Sequence, residues 1–176
     1  MPQTLLALGA ILAFSFFALS QHRTRASTEA ALVGGELEQV ASDLARATLL
    51  DVTRHAFDEA DIGRDDLRTA PGGLTAPADL GPDADETAPD RYDDLDDFHR
   101  LDTVQDGTWD GEPVRFTVRV TVRYVEPGAP DSGAGSATLA KEVTVTVEEE
   151  TPLGARPPAT CTLRQVVTPA WGHFHS

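Results

Sequence analysis

The first 21 residues of this chain carry no charged side chain, and this run limits what the chain can fold into more than any other feature. A helix over residues 3–21 would be about 28 Å long, close to the thickness of about 30 Å of a bilayer's hydrocarbon core. Small residues lie among Leu and Phe there, and small side chains let helices approach closely. The run therefore predicts a transmembrane helix, either a monomeric anchor or a helix that also packs against copies of itself. No basic residue precedes the apolar core, so we expect the segment to be retained rather than cleaved as a signal peptide.

Helical periodicity continues beyond the apolar run. Residues 26–61 contain no proline, and their apolar residues recur at the spacing of one helix face: Val33, Leu37, Val40 and Leu44. We expect one helix from about residue 3 to about residue 58, in which residues 1–21 are apolar and residues 22–61 form an amphipathic continuation. If this helix is disturbed anywhere, we expect it near Gly34 and Gly35, since a glycine inside a helix costs about 1 kcal/mol relative to alanine.

The rest of the chain, residues 62–176, changes from helical periodicity to alternation. It begins with a predicted loop over residues 63–113, which are rich in Asp, Gly, Pro and Thr. Alternating apolar and polar residues then predict a sheet of three strands, at 114–125, 140–149 and 160–168. Residues 127–138 between the first two strands predict a turn or a flexible loop. The predicted fold class is α+β, with the long N-terminal helix packed on a C-terminal antiparallel β-sheet.

The charge and the motifs of the chain limit its functions. A formal net charge of −15 disfavours nucleic acid and anionic lipid headgroups as partners, because both repel an acidic surface. The single cysteine, Cys161, excludes an internal disulfide and a cysteine-based zinc site. The sequence contains no Gly-x-Ser-x-Gly, no phosphate-binding loop and no His-Glu-x-x-His. We therefore expect the protein not to be an enzyme.

An acidic stretch, residues 83–110, is the one cluster of residues with the chemistry of a binding site. Closely spaced carboxylates suit Ca²⁺, and four of them are the predicted ligands: Asp93, Asp94, Asp96 and Asp97. The spacing differs from that of an EF-hand, because the required glycine and terminal glutamate are missing. The alternative is a solvated loop that Leu95 and Phe98 hold to the sheet. His173 and His175 could also ligate a metal, or could belong to a solvated tail.

The order of elements resembles that of type IV pilins and pilin-like proteins. The second half adds sequence likeness, since YDDLDDFH at residues 92–99, WDGEPVRFTVRVTVRYV and KEVTVTV resemble the body of MSHA-type minor pilins and related prepilin-like filament subunits. The likeness in architecture covers the whole chain, and the likeness in motifs covers residues 91–148.

The resemblance implies a structural subunit of an extracellular type IV pilus-like filament, located at the cell surface. Its partners would be copies of itself in a helical homopolymer and the inner membrane before assembly. The assembly surface would lie on the apolar helix, at Leu5, Leu6, Leu8, Gly9, Ile11, Leu12, Ala13, Phe14, Phe16 and Phe17. No cofactor is expected apart from Ca²⁺ in the acidic stretch. The alternative is a membrane-tethered envelope β domain that acts as a binding module or as an accessory pilin.

Overall fold

The computed structural model describes residues 2–64, 66–152 and 156–169, except for the side chains of residues 2–8, 10 and 26. It contains one α-helix, α1 (Pro2–Val52), and two short 3₁₀ turns, Glu59–Asp61 and Pro89–Arg91. Five strands come after the helix: β1 (Asp102–Trp109), β2 (Glu112–Glu126), β3 (Ala129–Gly133), β4 (Lys141–Glu149) and β5 (Thr160–Val167). The predicted α+β class, with a long N-terminal helix and an antiparallel sheet, is confirmed.

The sheet has the order β1-β2-β4-β5, and β3 pairs only with β2. All of these pairings are antiparallel. The three predicted strands are confirmed as β2, β4 and β5, with ends that differ by one or two residues. Alternation places Val118, Val120 and Val122 of β2 and the valines of β4 on one buried face, and the β2 arginines on the opposite, exposed face. Arg123 lies opposite Glu142 in the register and donates to its carboxylate at 2.8 Å.

The second half of α1 packs against the buried face of the sheet. Its fully buried residues lie along one face of the helix: Leu37, Ala41, Ala45 and Val52. The two alanines allow the helix to lie close to the strands, because their side chains are small. Trp109 at the end of β1 donates from Nε1 to Oε2 of Glu36 at 2.6 Å and joins the helix to the edge of the sheet.

The helix is continuous, but its end differs from the prediction. It ends at Val52 rather than near residue 58, because the backbone beyond it turns to bond with the acidic stretch. Ala56 N donates to Asp93 O at 3.1 Å, and Leu95 N donates to Ala56 O at 2.9 Å. No break occurs at Gly34 and Gly35. The packing that begins at Leu37 outweighs the low helix propensity of the two glycines.

The predicted loops contain regular structure that the sequence pattern did not indicate. Strand β1 lies within the predicted loop over residues 63–113 and pairs along its whole length with β2. Strand β3 lies within the predicted turn region over residues 127–138 and pairs with the end of β2. Both strands contain glycine and aspartate, which are infrequent in strands, so pairing with β2 overrides their local preference.

The prediction of a transmembrane helix is wrong. Within the part of the chain that the structure describes, no helix combines the length and the apolar character needed to cross a membrane. The physical reason is that polar and charged side chains continue the same helix from Gln21 onward, with His22, Arg23 and Arg25.

Candidate functional site

The first candidate site is the exposed segment of α1, residues 9–32. Its large apolar side chains lie in solvent, and two phenylalanines are the most exposed, Phe14 at 73% and Phe16 at 76%. Seven of the predicted assembly residues lie in this segment and are exposed: Gly9, Ile11, Leu12, Ala13, Phe14, Phe16 and Phe17. Leu5, Leu6 and Leu8 also belong to α1, but their side chains lie outside the described part.

The first part of the exposed segment, residues 9–19, is apolar around much of the circumference of the helix. Successive helix residues are about 100° apart, so Ile11, Leu12 and Phe14 point in different directions. Burial of each Leu or Phe side chain is worth about 1.5–3 kcal/mol relative to exposure in water. Contiguous apolar surface on this scale marks an interaction site in a folded protein. Gly9 and Ala13, one helical turn apart, add a face where a second helix could approach closely.

The acidic stretch is held to the core as predicted, but part of it is buried rather than solvated. Leu95 and Phe98 are buried, and the Phe98 ring contacts the Tyr92 ring edge-on at 5.1 Å. The expectation that the aspartates stay in water is wrong for Asp94, Asp96 and Asp97, which are buried. Backbone N–H groups compensate for the lost water, because a buried carboxylate is stable only when hydrogen-bonded or paired.

Asp94 and Asp97 each accept such hydrogen bonds from backbone N–H groups within the same short segment. Oδ1 of Asp94 accepts from the backbone N–H groups of Asp96 at 2.5 Å and Asp97 at 3.2 Å. Oδ2 of Asp97 accepts from the N–H groups of Asp93 at 3.0 Å and Asp94 at 3.1 Å. The close sequence spacing of these aspartates therefore builds local backbone structure, which is a common use of Asp in loops.

The four predicted calcium ligands are divided among three places. Asp93 and Asp97 lie together with Glu86, and carboxylate oxygens of the three residues are within 4.8 Å of one another. Asp94 accepts the backbone hydrogen bonds described above, and Asp96 faces Lys141. Burial, together with the neighbouring Glu86, raises the pKa of the Asp97 carboxyl to about 7. Glu86 was absent from the predicted set. It joins Asp93 and Asp97 because the loop folds so that the three carboxylates lie close together, and we call these three residues the acidic triad.

The second candidate site surrounds Lys141 and was not predicted. Lys141 is 0% exposed, and its Nζ donates to Phe57 O at 2.6 Å, to Asp58 Oδ2 at 3.0 Å and to Asp96 Oδ1. The Nζ atom also lies 4.6 Å from the ring centroid of Phe57 and 5.0 Å from that of Tyr124. We call Lys141, Asp58, Asp96 and Tyr124 the lysine cluster.

Three elements meet at the lysine cluster. Lys141 is the first residue of β4, Asp58 lies beyond the end of α1, and Asp96 belongs to the acidic stretch. Asp58 is held by several donors, among them Tyr124 Oη at 3.1 Å and Thr75 N at 3.0 Å. By contrast, Oδ2 of Asp96 is buried and has no hydrogen-bond partner among the described residues.

The two carboxyls of the lysine cluster differ in acidity. Burial raises the pKa of Asp96 to about 6, although the Lys141 ammonium opposes this shift. Burial also disfavours the charged form of Asp58, but the Lys141 ammonium and the hydrogen bonds that Asp58 accepts outweigh it and hold its pKa below the usual value. Burial, followed by the Asp58 charge, raises the pKa of Tyr124, so its hydroxyl remains protonated. Asp58 thus stays ionised while Asp96 takes up a proton more readily.

One sequence signal could have located Lys141. It is the only lysine among the 14 lysine and arginine residues, and it stands in phase with Val143, Val145 and Val147 of β4. A charged residue in phase with a buried strand face must find partners inside the protein. The partners themselves could not be read from the sequence, since Asp58 lies 83 positions and Asp96 45 positions away along the chain.

The remaining predicted residues add no site to the described part of the chain. Cys161 is partly buried in β5. His173 and His175 lie outside the described residues. Comparison with known proteins found no matching family model, no matching curated protein and no matching solved structure.

Proposed function

We propose that this protein is a structural subunit of a pilus-like extracellular filament in which the exposed segments of neighbouring copies pack together. The observation that carries the proposal is the continuity of α1, whose exposed apolar part runs without interruption into a part that is packed on the sheet. Such a helix fixes the assembly surface firmly to the β domain. In the filament, the helices form the core and the sheets lie outside.

Several features support self-assembly over another use of the segment. The large side chains gain their burial only when another apolar surface covers them. Gly9 has no atom within 4 Å of the position that a Cβ would occupy, so its face is open to a neighbouring helix. A pilin-like arrangement of one long helix and one antiparallel sheet also agrees with the resemblance of the sequence to minor pilins.

Assembly of the full chain, followed by sedimentation and negative-stain electron microscopy, tests this proposal. Replacing both Phe14 and Phe17 by Ser removes about 3–6 kcal/mol of burial per subunit, which should raise the concentration needed for assembly at least about 100-fold. The matched control is Leu50→Ser, because Leu50 is also exposed on α1 but lies outside the exposed segment. It should assemble as the wild type does.

A second variant separates ordered packing from general stickiness. Gly9→Leu combined with Ala13→Leu increases the apolar surface but prevents close helix approach. Filaments should be lost, and amorphous aggregates would not count as assembly. A wild-type chain that remains monomeric at high concentration would contradict the proposal and favour a binding module that acts as a single copy.

A further inference from the structure

The placement of Lys141 is unusual for an ion pair. All but one of the 14 lysine and arginine residues are arginines. Arginine forms bidentate pairs with carboxylates, which lysine cannot form. The only lysine is fully buried between two carboxylates and two aromatic rings. A lysine has one property that an arginine lacks, since its amine becomes a nucleophile when it loses a proton.

The surroundings meet the requirements for reaction of that amine. Lys141 Nζ contacts a carboxyl oxygen of Asp96, so the amine and the carboxyl carbon are held side by side. In an intramolecular reaction, such proximity has the same effect on the rate as a very high reactant concentration. A second carboxylate, Asp58, lies 3.0 Å from the same nitrogen and can exchange protons with it. The unpartnered Oδ2 of Asp96 is the atom free to leave.

We propose that Lys141 and Asp96 join spontaneously in an intramolecular isopeptide bond, with Asp58 as the general acid–base. This bond links Lys141, the first residue of β4, to Asp96 in the acidic stretch. It is independent of the filament function proposed above, because every participating residue lies inside one β domain.

The reaction balances without any co-reactant. The Lys141 ammonium first passes one proton to the Asp96 carboxylate, which yields a neutral amine and a neutral carboxylic acid. The amine then attacks Cγ of Asp96, and a bond forms between Nζ and Cγ. Asp58 accepts a proton from the attached nitrogen and returns it to the departing hydroxyl group of Asp96. The bond between Cγ and that oxygen breaks, and one water molecule leaves.

The buried environment favours the product. A charged pair inside a protein carries a large desolvation cost, whereas an amide is neutral. Lys141 Nζ would keep one hydrogen as an amide donor, and Phe57 O at 2.6 Å is in position to accept it.

Mass spectrometry of the intact, folded wild-type chain tests the bond. We expect a mass lower than the sequence mass by one water molecule, and tandem spectra that connect the peptides containing residues 96 and 141. Because Lys141 is the only lysine, an endoproteinase that cleaves after lysine provides a second readout. The denatured wild-type chain should resist this protease, whereas Asp96→Ala should have its full mass and be cut into two fragments.

A folded wild-type chain with its full mass and complete cleavage after Lys141 would overturn the proposal. Loss of water with retained cleavage would also overturn it, because cyclisation at Asp106-Gly107 or Asp110-Gly111 loses water but leaves the lysine free. Asp58→Asn should fold but accumulate chain of full mass, since the proton acceptor is gone. Bond formation in Asp58→Asn at the wild-type rate would overturn the role of Asp58.

Discussion

Gly107 of β1 shows at the residue scale how closely α1 lies on the sheet. A Cβ at this position would be 2.6 Å from Cγ1 of Val40 and 2.9 Å from Cε2 of Phe116. Distances this short cannot be tolerated, so either the helix or the aromatic ring must move. Gly107 is therefore a packing requirement within a strand, where glycine is otherwise unfavourable.

Gly107→Ala should lower the free energy of unfolding by about 1–3 kcal/mol, because overpacking at a helix–sheet contact forces side chains out of position. Gly35→Ala is the contrasting control, since no atom lies within 4 Å of its Cβ position in the helix. It should raise the free energy of unfolding by up to about 1 kcal/mol. Urea denaturation of both variants measures these effects, and equal stability of the two would contradict this account of Gly107.

The buried aspartates make stability depend on pH. Burial, together with the charges of Asp96 and Asp97, raises the pKa of Asp94 to about 8. The pKa of Asp97 is raised to about 7. A carboxyl whose pKa is raised on folding binds more protons in the native state, so stability falls as pH rises through the folded pKa. The free energy of unfolding should therefore decrease between about pH 5.5 and pH 8.5.

Asp94→Asn isolates the largest contribution to this trend. The amide oxygen can still accept from the N–H groups of Asp96 and Asp97, but it carries no charge at any pH. The variant should exceed the wild type in stability at pH 8.5 and show a flatter pH dependence. Thermal unfolding at pH 5.5, 7.0 and 8.5 provides the comparison. A wild type that becomes more stable toward pH 8.5 would refute the assigned protonation states.

At the scale of elements, the acidic stretch connects α1 to the sheet. The chain leaves the helix after Val52 and forms a parallel bridge between Ala56 and Asp94, which brings Asp58 under β4. Leu95 and Phe98 fill the core from the same segment. A stretch with the composition of a solvated loop is thus an ordered part of the fold, because backbone N–H groups and Lys141 bond to carboxylate oxygens of Asp94, Asp96 and Asp97.

Calcium binding stays a prediction of this element, now at the acidic triad of Glu86, Asp93 and Asp97. Three carboxylates leave several coordination positions to water, so we expect a dissociation constant of about 10⁻⁴–10⁻³ M. Calorimetric titration of the full chain measures it, and Asp97→Asn should abolish the heat. Asp106→Asn is the control, since Asp106 is acidic and exposed but is not part of the triad. No heat at millimolar Ca²⁺ would exclude the site.

At the scale of the whole molecule, α1 has two parts with different surroundings. The fully buried helix residues begin at Leu37, and the exposed segment contributes none of the buried core. The residues that stabilise the fold and those of the proposed self-association therefore lie in different parts of the same helix. This separation allows one part to be removed without loss of the other.

A chain that lacks residues 1–25 should retain the fold. Circular dichroism should still show mixed helix and strand, and the free energy of unfolding should change by less than about 0.5 kcal/mol, because exposed positions contribute little to stability. The wild type at a concentration below that of self-association serves as the reference. A largely disordered spectrum would mean that the exposed segment is needed for folding.

The sequence predicted the elements whose pattern is strong and local. The stripe from Val33 to Leu44 indicated a helix, and strict alternation in β2 and β4 indicated strands, because each pattern matches the geometry of its element. β1 and β3 were missed because their glycines and aspartates lack that pattern. The end of α1 was placed about six residues too late, since the backbone bonds of Ala56 depend on a segment almost 40 residues further along the chain.

The sequence by itself determined the α+β class, the uncharged apolar start of the helix and the buried face of the sheet, because these depend on short-range periodicity and burial. Only the tertiary structure decided what the charged residues do. Asp58, Asp96 and Lys141 do not belong to a common sequence motif. They meet because the turn after α1 and the acidic stretch both contact the start of β4. Long-range electrostatic partners depend on chain topology, which local sequence patterns do not contain.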